Sequence, residues 1–249
     1  MRTVVCVKQV LQLGDEVELA PDGLDVDPDY LEPVLNEWDA FSTEEALRLR
    51  EAHGGEVVVV TCGEEETDKA LRRCLAMGAD RAIRVGGAPR DPFSTARALA
   101  EVVSAEQPDL VLCGVQSSDA VQAATGTVLA GLLGLPCAAV VTRVELDPAA
   151  GTAVVDRELE GGVVDRVEVD TPALLTIQTG INEPRYANLR AIKQAERIEI
   201  DVRRAGDTGP PAYRVRRMFV PEREGRAEPI EGTPAEIAAR ILALVKERV

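Results

Sequence analysis

EVVVVTCGEEETDKALRRCLAMGADRAIRV, residues 56–85, decides the fold. Its opening valine run has no polar face, which fits a strand covered on both sides. Residues 64–77 then read as a helix, with Leu71, Cys74 and Leu75 on one face and Gly78 as its stop. Residues 81–85 return to a short strand. Strand, helix and strand in this order predict a mostly parallel sheet with helices on both faces.

The alternation extends outward in both directions. Thr3 to Val7 is a short buried strand, and residues 16–26 around Pro21-Asp22-Gly23 read as a hairpin. Ser42-Thr43-Glu44-Glu45 supplies a capping box for a helix that begins with Ala46, Leu47 and Leu49 and stops at Gly54-Gly55. Downstream, 93–103 reads as a helix, 110–113 as a strand, 121–133 as a helix rich in Ala and Gly, and 137–144 as a strand. From 141 to 169 short strands broken by Asp147-Pro148, Gly151 and Gly161-Gly162 predict antiparallel additions at a sheet edge. Pro172 opens another buried strand, Ala173 to Ile177. Asn182, Pro184 and Asn188 follow as turn and cap residues ahead of a short helical run, and Arg185 and Tyr186 place a charge and an amphipathic ring at the exit. This loop reads equally as a packed strand exit and as a docking loop. Beyond Ile200 the chain is rich in Pro, Gly and charge, and Thr233-Pro234-Ala235-Glu236 caps a last helix with Ile237, Ile241, Leu244 and Val245 as its apolar stripe. Such an arm folds back on its own core or lies on another subunit.

The 249 residues carry a formal charge of -15, and a field of that sign repels nucleic acid and anionic membrane surfaces. Five cysteines without C-x-x-C spacing read as reduced thiols rather than a disulfide framework. The single histidine, His53, sits at a helix end and supports neither a histidine-based triad nor a metal site. No apolar run approaches the ~18 residues of a membrane span, and the N-terminus passes straight into a strand. The expectation is a cytoplasmic protein with no direct membrane insertion.

Ligands of an open parallel sheet bind at the carboxyl ends of strands, near a switch in strand order. Three such ends share a design: Val5-Cys6-Val7-Lys8, Thr61-Cys62-Gly63 and Leu112-Cys113-Gly114. Small residues there let a flat ring or a ribose come close to backbone. Residues 114–128, GVQSSDAVQAATGTV, place Gln116, Ser117, Ser118, Asp119 and Gln122 at a helix entrance, where unpaired amides and the helix dipole suit a phosphate. An ordinary N-cap at Ser118 or Asp119, with Gly126 for close packing, accounts for the same residues. Neither G-x-G-x-x-G after the first strand nor a Walker loop occurs, and Val7 is not followed by a Gly-rich loop containing Ser. The Glu44-Glu45 pair and the acids at 64–66 sit at expected helix starts, where the dipole explains them without a catalytic pair.

Six separated blocks, in order over roughly residues 3–200, carry a resemblance. They are VKQV at 7–10, LNEWDAFSTEEALRLRE at 35–51, ALRRCLAMGADRAIRV at 70–85, PDLVLCGVQSSD at 108–119, DRELEGG at 156–162 and NEPRYANL at 182–189. Together they resemble the beta subunit of electron transfer flavoproteins. The resemblance implies a non-catalytic electron carrier, paired with an alpha subunit that holds most of an FAD, and an AMP of no redox role buried in this chain. The matching cofactor positions are Cys6, Asn36, Glu37, Trp38, Asp39, Cys62, Gly114, Val115, Gln116, Ser117, Ser118, Asp119, Gln122 and Thr125. It further implies a docking loop for dehydrogenases such as acyl-CoA dehydrogenases, formed by Asn182, Glu183, Pro184, Arg185, Tyr186 and an anchor at Leu189, with a quinone oxidoreductase or another acceptor downstream.

Departures from the family pattern sharpen these expectations. Asn36-Glu37-Trp38-Asp39 stands where many relatives read N-P-F-D, placing Trp38 where it can approach the dimethylbenzene edge of the flavin; plain core or interface explains it equally. Leu13 falls near a position where relatives can carry a tyrosine beside the same ring. Thr125-Gly126 resembles the AMP-binding type, and the D-G-D-T-A-Q-V-G-P of electron-bifurcating relatives is absent. AMP is therefore expected, with a second FAD and bifurcation as the alternative and a stand-alone adenine-nucleotide binder of universal stress type as another. Arg190 replaces the usual proline after Leu189. The expected fold is α/β, a mostly parallel twisted sheet with helices on both faces, of adenine-nucleotide-hydrolase-like or flavodoxin-like type, with antiparallel edge additions. Its expected domains are 1–200, including the recognition loop 182–195, and a C-terminal helical arm, 201–249, packing on the alpha subunit.

Overall fold

The structure, a computed structural model, describes residues 1–12, 17–27, 31–87, 91–206, 208–221 and 229–248. Nine strands form one sheet. Across it run β11 (Ile200–Arg204), β5 (Arg81–Gly86), β4 (Glu56–Cys62), β1 (Arg2–Cys6), β6 (Leu110–Gly114), β10 (Ala173–Ile177), β7 (Cys137–Asp147), β8 (Thr152–Glu158) and β9 (Val164–Asp170). Every pair from β11 to β7 is parallel, whereas β8 and β9 add antiparallel at the far edge, as the broken strands of 141–169 foretold. A short antiparallel ribbon, β2 (Gln9–Gln12) with β3 (Glu32–Leu35), stands apart. The hairpin around Gly23 closes through the Leu19–Val26 bridge.

Alternate residues of the central strands feed two cores, as a two-residue side-chain period requires. Val5, Val57, Val59, Leu112 and Leu175 pack in one core together with Leu47 of α1 (Glu37–His53) and Leu71 of α2 (Asp68–Met77). Val4, Val58, Val60, Val111 and Leu174 pack in the other with Leu99 of α3 (Pro92–Ala105) and Leu129 of α4 (Thr125–Leu133). All five residues of β10 are buried, which is why that stretch contains no polar face to betray an orientation. The remaining helices are α5 (Leu189–Ala195) and α6 (Pro234–Arg248).

Two helix starts differ from expectation. The Ser42-Thr43-Glu44-Glu45 stretch does not cap α1 but lies inside it, because the helix begins at Glu37. Ser42 Oγ donates to the Trp38 carbonyl and Thr43 Oγ1 to that of Asp39, so both hydroxyls bond back along the helix instead of closing its end. Glu44 and Glu45 are therefore buried mid-helix acids and not dipole-compensating ones. Likewise α4 begins at Thr125 and not at Val121, since Val121 and Ala123 hold φ of 50° and 48°. That left-handed region is barred to a continuing right-handed helix.

The chain divides into two compact units, Met1–Arg217 and Met218–Val249, and β11 belongs to the sheet of the first as the partner of β5. In the second unit, Thr233 and Glu236 form a reciprocal capping box on α6, with Thr233 N to Glu236 Oε2 at 2.8 Å and Glu236 N to Thr233 Oγ1 at 3.4 Å. Ile241 and Val245 of its apolar stripe are about half exposed. Among the described residues no helix is long and apolar enough to cross a membrane.

Candidate functional site

From β1 the chain builds β4 and β5 to one side and β6, β10 and β7 to the other, so strand order reverses at β1. The carboxyl ends of β1, β4 and β6 open there onto a cavity of about 400 Å³. Cys6, Cys62 and Cys113 form its floor. A hydrogen bond to Cys6 and burial hold the Cys113 thiol well above its ordinary value, and burial pushes Cys62 up to about 11. Both thiols remain protonated near neutrality, which makes this part of the floor uncharged.

The first turn of α1 fastens the parts of the floor together. Asp39, 4 % exposed, accepts from the Lys8 amide at 2.7 Å and the Gly114 amide at 3.0 Å, tying the end of β1 to the end of β6. Burial raises its pKa to about 7 against the opposing pull of these bonds. Gly114 is required at this crossing: a Cβ there would stand 2.4 Å from Asp39 Oδ1 and 2.7 Å from Trp38 Cβ. Asn36 Nδ2 donates to the Gln116 carbonyl at 2.9 Å, and Asn36 Oδ1 accepts from the Ser118 amide at 3.3 Å. Lys8 Nζ reaches Asp119 at 2.7 Å and Ser117 Oγ at 3.2 Å. Burial alone would raise Asp119, but the bonds from Lys8 and Ser117 outweigh it and leave the carboxyl below its ordinary value.

The rim completes the site. Ala124, the N-cap of α4, offers no side-chain acceptor to the first-turn amides, in contrast with Asp91 at α3, which accepts from Phe93 N and Ser94 N. Ser118 and Asp119 therefore do not serve as that helix's cap. Gly126 lets α4 approach β10, since a Cβ would come within 2.7 Å of Thr176 Cγ2. Asp91, Pro92 and Thr95 line the cavity from α3, and Tyr213 and Val215 from a strap at 208–217. Sequence reading missed these five, and also Leu24, Asp25 and Leu99, which line the same cavity. Asp91-Pro92 is a legible helix start behind β5, whereas the strap's inward side shows only as Tyr213 and Val215 alternating with arginines.

Of the expected cofactor positions, Cys6, Asn36, Asp39, Cys62, Gly114, Val115, Gln116, Ser117, Asp119, Gln122 and Thr125 come together around this cavity. Glu37 is exposed on α1, and Ser118 contributes its amide to Asn36 without lining the space. Trp38 lies elsewhere: half-buried, it donates Nε1 to Gln178 Oε1 at 3.0 Å, just past β10, while Gln178 reaches Glu158 at 3.4 Å. Leu13 lies outside the described residues.

The second expected site is the loop between β10 and α5. Arg185 spans Glu44 and Glu51 with bonds of 2.6 to 3.2 Å, and its own amide donates to Glu44 Oε2 at 3.1 Å. Arg48 adds Nε to Glu44 Oε1 at 3.0 Å. Burial raises the Glu44 pKa, but the bonds from Arg185 and Arg48 outweigh it and leave the value below that of an ordinary glutamate. Asn182 donates to Glu45 Oε2 at 2.9 Å and to the Phe41 carbonyl at 3.1 Å, while burial holds Glu45 above its ordinary value. The guanidinium that sequence reading placed at the exit is thus turned inward. Tyr186 and Leu189 stand out, 91 % and 78 % exposed, with Arg73 stacked 5.3 Å from the Tyr186 ring centroid. Asn188 caps α5 through Ala191 N at 2.9 Å, as expected, and Arg72 donates to the carbonyls of Ala195 and Ile198 beyond it. Glu183 is exposed and Pro184 partly so.

Among the described residues no group of His, Cys, Asp and Glu forms a metal centre. The family profile described as the electron transfer flavoprotein domain matches residues 24–207. The chain is similar to the electron transfer flavoprotein subunit beta of Methylophilus methylotrophus, with 46 % identity over 261 positions covering 99 % of this chain and 98 % of the relative. It is 35 % identical to the human subunit beta, covering 84 % and 83 %, and 32 % identical to that of Bacillus subtilis (strain 168), covering 89 % of each.

Proposed function

Because the chain belongs to the electron transfer flavoprotein family as a beta subunit, we propose that it is the non-catalytic half of a heterodimer, holds one AMP in the β1/β4/β6 cavity and presents the 182–195 loop to dehydrogenases. The observation that carries the reading is the cavity itself, at the switch in strand order, with the family's expected positions converging on it. Its chemistry suits a mononucleotide. Gln116, Ser117 and Gln122 line the space with hydrogen-bonding groups of the kind that adenine and ribose seek, and the uncapped amides of α4 suit a phosphate. At about 400 Å³ the space lies at the small end of the usual 300–1,000 Å³ for ligand pockets.

The flavin, held mainly by the alpha subunit, supplies the electron-carrying chemistry; this chain supplies a wall. Trp38, fixed by Gln178, is the residue offered to that wall. Leu189 and Tyr186 form a small exposed contact on a braced loop, suited to the brief complexes that electron carriers make with dehydrogenases and with a quinone oxidoreductase. A cytoplasmic setting belongs to the same proposal, as does α6 lying against the alpha subunit.

Co-expression with a candidate alpha subunit followed by acid release and counting of nucleotides tests the reading. One FAD and one AMP per yellow heterodimer is the expected result. Two flavins assign the cavity to a second FAD, and a colourless chain that binds no alpha subunit removes the proposal.

A further inference from the structure

The strap at 208–217 has no part in the site as the family resemblance describes it, yet its Tyr213 and Val215 form part of the cavity's wall. At least three bonds hold it there. Arg97 Nη1 donates to the Thr208 carbonyl at 3.3 Å, the Ala212 amide donates to the Asp91 carboxylate, and Gln122 Nε2 donates to Tyr213 Oη at 2.5 Å. Two of these anchors, Asp91 and Gln122, themselves line the cavity. Tyr213 and Val215 both line the space, whereas Arg214 and Arg216 do not. Tyr213 and Val215 are nevertheless 44 % and 48 % exposed, so a large part of their apolar surface meets only the open cavity and solvent.

We propose that Tyr213 and Val215 are ligand-contact residues that close the nucleotide site at mononucleotide length, so that the strap selects AMP over a dinucleotide. The inference rests on the nucleotide reading above. A ligand seated against the strand ends covers the half-bare faces of Tyr213 and Val215, gaining affinity from apolar burial. With this wall in place the cavity measures about 400 Å³, at the small end of the usual 300–1,000 Å³ for ligand pockets. Gln122 joins the wall to the 115–124 loop, so a ligand that orders the loop also orders the strap.

The test uses the heterodimer carrying Y213A together with V215A, and Y213F alone as the variant that keeps the ring. The double variant is expected to release AMP about tenfold faster, the loss of roughly 1.4 kcal/mol of contact. Once emptied of AMP, it is expected to take up FAD at the cavity, which the wild-type heterodimer refuses. Y213F retains AMP close to the wild-type rate. Added AMP protects wild type, but not the double variant, from tryptic cleavage after Arg214 and Arg216. Equal AMP release and equal refusal of FAD by wild type and double variant overturn this inference alone. A wild-type heterodimer that binds no adenine nucleotide overturns both this inference and the reading beneath it.

Discussion

Asp39 and Glu44 are buried carboxylates five residues apart on one helix, 4 % and 3 % exposed, and their acidities shift in opposite directions. Asp39 receives the Lys8 and Gly114 amides, while the Lys8 ammonium is occupied with Asp119. Glu44 receives the fork of Arg185 and the side chain of Arg48. Neutral dipoles offset burial only in part, whereas guanidinium groups overcome it. The cavity end of α1 is therefore held by an acid that retains its proton up to about pH 7, and the loop end by one that stays ionised.

The comparison breaks most readily at Gly114. G114A drives a methyl into Asp39 and Trp38, and urea titration is expected to show a loss of about 3 kcal/mol, with nucleotide content falling while the 182–188 amides keep their exchange protection. E44A is the mirror experiment. It leaves Arg185 only Glu51 and is expected to cost about 2 kcal/mol and to speed hydrogen exchange in the loop, with nucleotide content unchanged. If either variant disturbs the other end, the two fastenings are one.

A smaller effect separates the two acids by pH. The Asp39 pKa rises on folding from 3.8 to about 7, so its contribution to stability is full below about pH 3.8 and declines until pH 7 is passed. Glu44 falls below 4.5 on folding, so its contribution is present above that pH and is lost in acid. Stability of wild type minus D39N should thus decrease from pH 4 to 7, while wild type minus E44Q should shrink only on acidification. Parallel profiles for the two variants would remove the distinction. Least of all in stability, L189A is expected to lie within about 0.5 kcal/mol of wild type, because the side chain is 78 % exposed. Its effect belongs in electron uptake from a dehydrogenase, with flavin content intact; loss of flavin would make the loop a pocket wall.

The parallel sheet was legible because Val57 to Val60 and Ala173 to Ile177 are runs that only a doubly covered strand accommodates. The start of α1 was not. Ser42 and Thr43 can cap a helix or bond back within one, and which they do depends on Asn36 and Asp39 being drawn to β6, a contact 75 residues away. The α4 entrance failed for a similar reason. Ala favours helix locally, but Val121 and Ala123 are turned into the left-handed region where the chain rounds the cavity. Strand ends at Cys6, Cys62 and Gly114 could be marked from pattern alone, whereas the inward turn of Arg185 depends on two acids more than 130 residues earlier.

Helical geometry gives the Asp39 to Glu44 interval a further meaning. Each residue turns the helix by roughly 100°, so five residues set the two acids on different sides, one toward the strand ends and the other toward the loop. Adding or deleting one residue between them would swing Glu44 away from Arg185 by that angle while leaving Asp39 in place. The segment 40–43 is thus an angular gauge whose length the two fastenings fix.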